Sequence, residues 1–178
     1  TGEDTVIVDT VSYSNLIVGK TYTVKGVLMD KDTGEAIKVD GKEVTSEKTF
    51  TASEKSGTVT MKFIFDSKAL KGKTTVVFDD LYMGDVNVTT HSDITYEGHS
   101  IHYPEIKTTA MDEKTKDNLG AIGNEMTIID TVSYSNLIAG KTYTVKGVLM
   151  DKTTKEPLKV DGKTVTAEKT FTAERESG

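Results

Sequence analysis

Cysteine is missing from all 178 residues, and tryptophan and glutamine are missing with it. Without cysteine neither a disulfide nor a thiolate zinc site can staple the fold, so a chain of this kind working outside a cell needs another source of rigidity. No basic run is present. Lys and Arg number 22 against 28 Asp and Glu, the formal net charge is −6 and the pI is near 5.1, which argues against a row of phosphate contacts and so against a nucleic-acid partner. No apolar run approaches the roughly 20 residues of a membrane-spanning helix, and the N-terminus lacks a basic region followed by an apolar one. This segment is therefore expected to make no membrane contact, with any export signal or anchor lying outside it.

What is present is a repetition. "VSYSNLIVGKTYTVKGVLMDK" runs from Val11 to Lys31, and "VSYSNLIAGKTYTVKGVLMDK" from Val132 to Lys152. Asp9 lies over Asp130, an offset of 121 residues, and at that offset Thr5 to Gly57 covers Met126 to Gly178. Long-period self-similarity signals domains in series. The boundary is expected at Tyr103-Pro104, because Pro104 cannot donate a ladder hydrogen bond and holds Tyr103 extended. Residues 1–103 then form a first repeat lacking its opening strand, and 104–178 the opening half of a second. Such ends fit either a window on a longer array or strands exchanged between copies.

Within a repeat the period is two. Tyr22, Val24 and Leu28 share one face of "TYTVKGVLM", and Val59, Met61, Phe63 and Phe65 one face of "TVTMKFIF", as in half-buried strands. Asp32-Thr33-Gly34, Asp40-Gly41, Lys71-Gly72 and Met83-Gly84 punctuate the runs, with Asp-Gly the strongest hairpin signal. The expected class is all-β, as tandem immunoglobulin-like sandwich repeats.

Most charges fall on the polar parity of strands, but three places depart from it. Asp9 shares parity with Ile7 and Val11, as its copy Asp130 does with Ile128 and Val132. In "VVFDDLY" one of Asp79 and Asp80 must point inward. Burying a carboxylate raises its pKa and costs several kcal/mol unless it is paired or protonated. The bland reading has Asp9 and Asp79 bonding backbone N–H groups near strand ends; the functional one pairs them beside a reacting group. The third place is "THSDITYEGHSIHYPEI", which holds all three histidines, His91, His99 and His102. A metal site on His91, Asp93 and His99 is the weaker reading, because no dedicated further ligand accompanies them, and no metal or cofactor is expected. A serine-type triad is a weaker reading still, because no serine lies in a strand-to-helix elbow.

Four stretches together carry a family resemblance: "PEIKTTAMD" (Pro104 to Asp112), "IIDTVSYSNLIAGKTYTVKGVLMDK" (Ile128 to Lys152), "VVFDDLY" (Val76 to Tyr82) and "HSDI" (His91 to Ile94). The sequence resembles the VaFE-type repeats of Gram-positive surface adhesins, immunoglobulin-like (collagen-adhesin B-like) stalk domains carrying an intramolecular Thr–Gln ester cross-link. The resemblance implies that Thr108 is the attacking hydroxyl, turned inward with Ile106 and Ala110, that Asp130 and Asp9 are the acids of the Asp-Thr-Val-Ser-Tyr segment, and that Asp79 stands at the Glu of the Val-x-Phe-Glu run. His91 matches the family's histidine. Such a site works by acid–base assistance to a nucleophilic hydroxyl, shielded from water. The reaction turns over once and completes folding, so the chain is not expected to be an enzyme.

Two departures bear on that chemistry. Asp79 is one methylene shorter than Glu, and small misplacements in such sites are costly. His99 occupies the place of the closing-strand Gln, and imidazole has no carbonyl. Glu97 could offer a carboxyl, but expelling water from an acid is less favourable than expelling ammonia from an amide. Either the cross-link is lost and a buried polar network remains, or another bond, such as a Lys–Asn isopeptide, uses the same constellation. The resemblance implies a stalk or fibre at the cell-wall-associated surface of a Gram-positive bacterium, with neighbouring repeats, or other copies head to tail, as partners. The alternative is an adhesive module for a host glycan or protein, for which "FDDLYMGDVN" is the candidate surface.

Overall fold

The computed structural model describes residues 4–178 and divides the chain into two compact units, the first ending at Glu105 and the second running Ile106–Gly178. The first contains nine strands: β1 (Thr5–Tyr13), β2 (Thr21–Asp30), β3 (Lys38–Val39), β4 (Lys42–Glu43), β5 (Thr45–Thr51), β6 (Gly57–Phe65), β7 (Thr74–Met83), β8 (Val86–His91) and β9 (Ser100–His102). The second contains β10 (Glu105–Asp112), whose first residue belongs to the first unit, β11 (Ile128–Ser135), β12 (Thr142–Val148), β13 (Lys159–Val160), β14 (Lys163–Thr164) and β15 (Thr166–Thr172). Among the described residues helix is confined to two single 3₁₀ turns, Lys68–Leu70 and Glu97–His99.

In the first unit two antiparallel sheets form the layers of a sandwich. One is the pair β1–β6; the other has the order β5-β2-β7-β8, with β9 also on β7. The alternation read from the sequence is what packs them. Ile7, Val59, Met61, Phe63 and Phe65 of the first layer meet Tyr22, Val24, Leu28, Val77 and Leu81 of the second in one core. Polar neighbours on the opposite parity face solvent, as expected of sheets covered on one side. The Asp40-Gly41 turn joins β3 to β4 with φ of 51° and 77°, a two-residue hairpin needing left-handed backbone at both positions, which Asp tolerates and Gly prefers.

β8 and β9 share one edge of β7. β8 pairs with its second half, Asp79 opposite His91, and β9 with its start, Val76 opposite Ser100. Between these contacts residues 92–99 bow away from the sheet. That excursion positions the histidines.

Candidate functional site

Asp9 and Asp79 lie on different sheets and both point into the sandwich, at 6% and 5% exposure. Of the pair Asp79 and Asp80, the first is therefore the inward one. Asp80 is only half-buried, its Oδ1 accepting hydrogen bonds from Thr90 and from Asn87. Neither oxygen of Asp79, nor Oδ2 of Asp9, has a hydrogen-bond donor. Burial, then the negative charge of Asp9, pushes the Asp79 carboxyl up to about 7. One proton on Asp79 directed at Asp9 relieves the repulsion and gives the pair the hydrogen bond it otherwise lacks. The backbone-capping reading of these two acids does not describe Asp79, which caps nothing.

Space for Asp79 is made by Gly26, its cross-strand partner on β2. A Cβ at Gly26 would lie 2.7 Å from Phe63, 2.8 Å from Met61 and 2.9 Å from Asp79 Oδ1. Sequence reasoning passed over Gly26, although a glycine inside a strand otherwise rich in β-branched residues is a signal of close approach.

Above Asp79 stand the histidines. His91 is placed by the register of β8, and His99 by the 3₁₀ turn rather than by a closing strand, which begins only at Ser100. Their rings meet edge to face at 4.9 Å, and Tyr96 packs against both, at 5.6 Å from His91 and 5.1 Å from His99. One ligand-capable atom each from Asp79, His91 and His99 lies within 4.8 Å of the other two. Asp93 is not part of this group. It accepts hydrogen bonds from the backbone and hydroxyl of Thr95, which hold its carboxyl below the usual range. Glu97 is turned away as well, engaged by Lys31 and lying 3.6 Å from His102. A cleft of about 600 Å³ opens beside the group, with Asp79, His91, Val11 and Tyr22 in its wall.

Thr108 and Asp130 belong to the second unit, on the paired strands β10 and β11. Both are exposed, and so are Ile106 and Ala110, so the inward face expected of Thr108 is not realised within that unit. Among the described residues of that unit β12 to β15 follow β11, and none of them corresponds to β7.

A two-layer antiparallel sandwich with an acid pair sunk between its sheets, and histidines closing over it, defines an all-β sandwich domain with a buried polar site. The family model for the T-Q ester bond containing domain matches residues 1–101 and, separately, 104–178. The chain belongs to that family. No curated protein matches it. Among solved structures it is similar to a bacterial adhesin from Mobiluncus mulieris containing intramolecular disulfide, isopeptide and ester bond cross-links, at 16% identity and a TM-score of 0.52 over 85% of this chain and 82% of that one. A second crystal form of that adhesin gives 14% identity and a TM-score of 0.49 over 97% of this chain and 87% of that one. At such identity the likeness speaks to the fold alone.

Proposed function

We propose that the chain is part of the stalk of a surface adhesin, in which consecutive sandwich repeats, residues 1–103 from the first and 104–178 the opening half of the second, space a binding region away from a Gram-positive cell wall. The observation that carries the reading is the repetition itself: two segments of one chain, separated by two residues, each match the T-Q ester bond containing domain. The acidic charge and the lack of cysteine suit an extracellular spacer. On this reading the chain has no substrate other than itself. Protease shaving of intact cells, with peptides of this chain identified in the released fraction, is the direct test; recovery only from the cytosol sinks it.

Ester formation does not extend to the first repeat, because glutamine is absent and His99 stands in its place. Denaturing mass spectrometry is expected to give the unmodified mass, and peptides holding Thr108 and His99 to map separately. A loss of one ammonia or one water, with those peptides joined, would overturn this.

Strand addition is the second element. Among the described residues β1 pairs only with β6, whereas its copy β11 pairs with β10. By analogy with β10 on β11, a strand like β10 would give β1 a second partner by main-chain pairing. Where that strand comes from another copy, sedimentation shows a concentration-dependent head-to-tail polymer; a monomer at every concentration removes that arrangement.

A further inference from the structure

We propose that the first unit holds a first-row divalent cation such as zinc, ligated by Asp79, His91 and His99. The three side chains come from separate positions along the chain, and the fold converges them: Asp79 and His91 through cross-strand register, His99 through the turn that carries residues 92–99 back over the edge of β7. Their ligating atoms lie within 4.8 Å of one another. A tetrahedral zinc site needs its N and O donors about 3.3 Å apart. Rotation of His91, which is exposed, supplies the closing movement.

Independently of that clustering, Asp79 is 95% withdrawn from solvent and neither of its oxygens has a donor. The buried Nδ1 of His99 also has no partner. With Asp79 ionised, these two groups on facing elements are expensive to leave unpaired, and a cation that displaces the proton otherwise shared with Asp9 gives the carboxylate a partner. Asp9, beside Asp79, adds a second negative charge that favours a cation without being needed as a ligand. The cleft at Asp79 and His91 provides an entry path and room for water in the fourth position. The donor set selects the metal class. Two imidazoles and one carboxylate suit zinc, nickel or copper, whereas calcium and magnesium prefer oxygen throughout. Glutamine at position 99 would offer a neutral oxygen and remove one of the two nitrogens, so the same change that ends ester chemistry creates the nitrogen ligand.

The test is titration of the 178-residue protein with zinc chloride after EDTA treatment, followed by calorimetry and by the ring-nitrogen resonances of the histidines. Expected are one saturable site per chain, His91 and His99 shifting together at one equivalent with His102 unmoved, and a raised unfolding temperature for the first unit. His99→Gln and Asp79→Asn should each weaken binding at least about tenfold, the loss that even outer partners of metal ligands produce. Absence of saturable binding, movement of only one of the two histidines, or affinity unchanged in both variants would overturn the assignment. The resonance experiment needs no variant, so a substitution that prevents folding does not leave the question open.

Discussion

The first and second units share one stretch of sequence, Thr5–Gly57 recurring as Met126–Gly178, and its turns agree in detail. Asn15 and Asn136 have φ of 61° and 60°, Asp40 and Asp161 of 51° and 50°. The Tyr22 hydroxyl accepts a hydrogen bond from the amide of Ile17, as that of Tyr143 does from Ile138. Ala52 and Ala173 are both fully buried. Yet Ile7 is 7% exposed and its copy Ile128 39%, and Asp9 is buried where Asp130 is open. Strand, turn and hairpin are thus properties of the local sequence, while burial, and with it the chemistry of the acid, is conferred by β6 and β7. An aspartate on an apolar face becomes a strained core acid only when the other half of the sandwich is laid over it.

The largest effect that sharpens this contrast is expected from truncating a core leucine. Leu28 is wholly buried and its copy Leu149 only partly. Leu28→Ala should cost the first unit about 2–5 kcal/mol, the usual penalty of a core cavity, and Leu149→Ala should cost the second roughly 1 kcal/mol or less. Amide hydrogen exchange resolved by strand measures both; equal losses would mean that the second unit is covered after all.

Next comes pH. Asp79 titrates at about 7 folded against 3.8 unfolded, facing Asp9 from β1, Asp80 on its own strand, His91 from β8 and His99 from the turn. The folded state therefore holds the extra proton across that interval. Stability from this group is fully present below about pH 4 and is lost as pH rises through 7, by on the order of 4 kcal/mol. Asp30 acts oppositely. Burial works to raise it, but Lys73 at 2.6 Å and the amides of Asp32 and Thr33 hold it below its usual range, so its contribution is lost as pH falls. Denaturant melts with EDTA present should show Asp79→Asn flattening the decline between pH 4 and 7 while leaving the acid limb; an unchanged profile would remove the acid pair as its cause. A smaller break in the symmetry is expected at glycine. Gly26→Ala, crowded by Phe63, Met61 and Asp79, should cost about 1–3 kcal/mol, and Gly147→Ala, whose nearest neighbour is 3.9 Å away, should stay within about 0.5 kcal/mol. Similar costs at the two positions would locate the strain elsewhere.

The class of fold was legible because strands of period two announce which side chains face inward, and Tyr22, Val24, Leu28 and Phe63 are all in the core. Parity also singled out Asp9 and narrowed the inward acid of β7 to Asp79 or Asp80, a choice that burial then made. It was not enough for His99, since parity has meaning only inside a strand and His99 lies in a turn. Nor could it pick Asp79 over Asp93 as the acid nearest the histidines. That choice depends on β7 and β8 meeting in one register, a contact between residues 12 apart along the chain whose offset no local pattern states. Thr108 illustrates the converse: its alternation was read as burial, but alternation marks a face and says nothing of whether a second sheet covers it.

The smallest expected effect bears on what the copies share. Thr23 and Thr49 bring their hydroxyls to 2.9 Å across β2 and β5, and Thr144 and Thr170 do the same across β12 and β15; the outer pairs, Thr21 with Thr51 and Thr142 with Thr172, both lie at 3.2 Å. All are exposed, so the bonds compete with water and each is worth about 0.2–1 kcal/mol. Because each ladder lies wholly within one hairpin, Thr23→Val and Thr144→Val should cost the same, measured as the change in protection of the flanking amides. A loss confined to the first unit would show that its hairpin depends on the covering sheet even at the surface, and the separation of local structure from conferred burial would then fail where it ought to be cleanest.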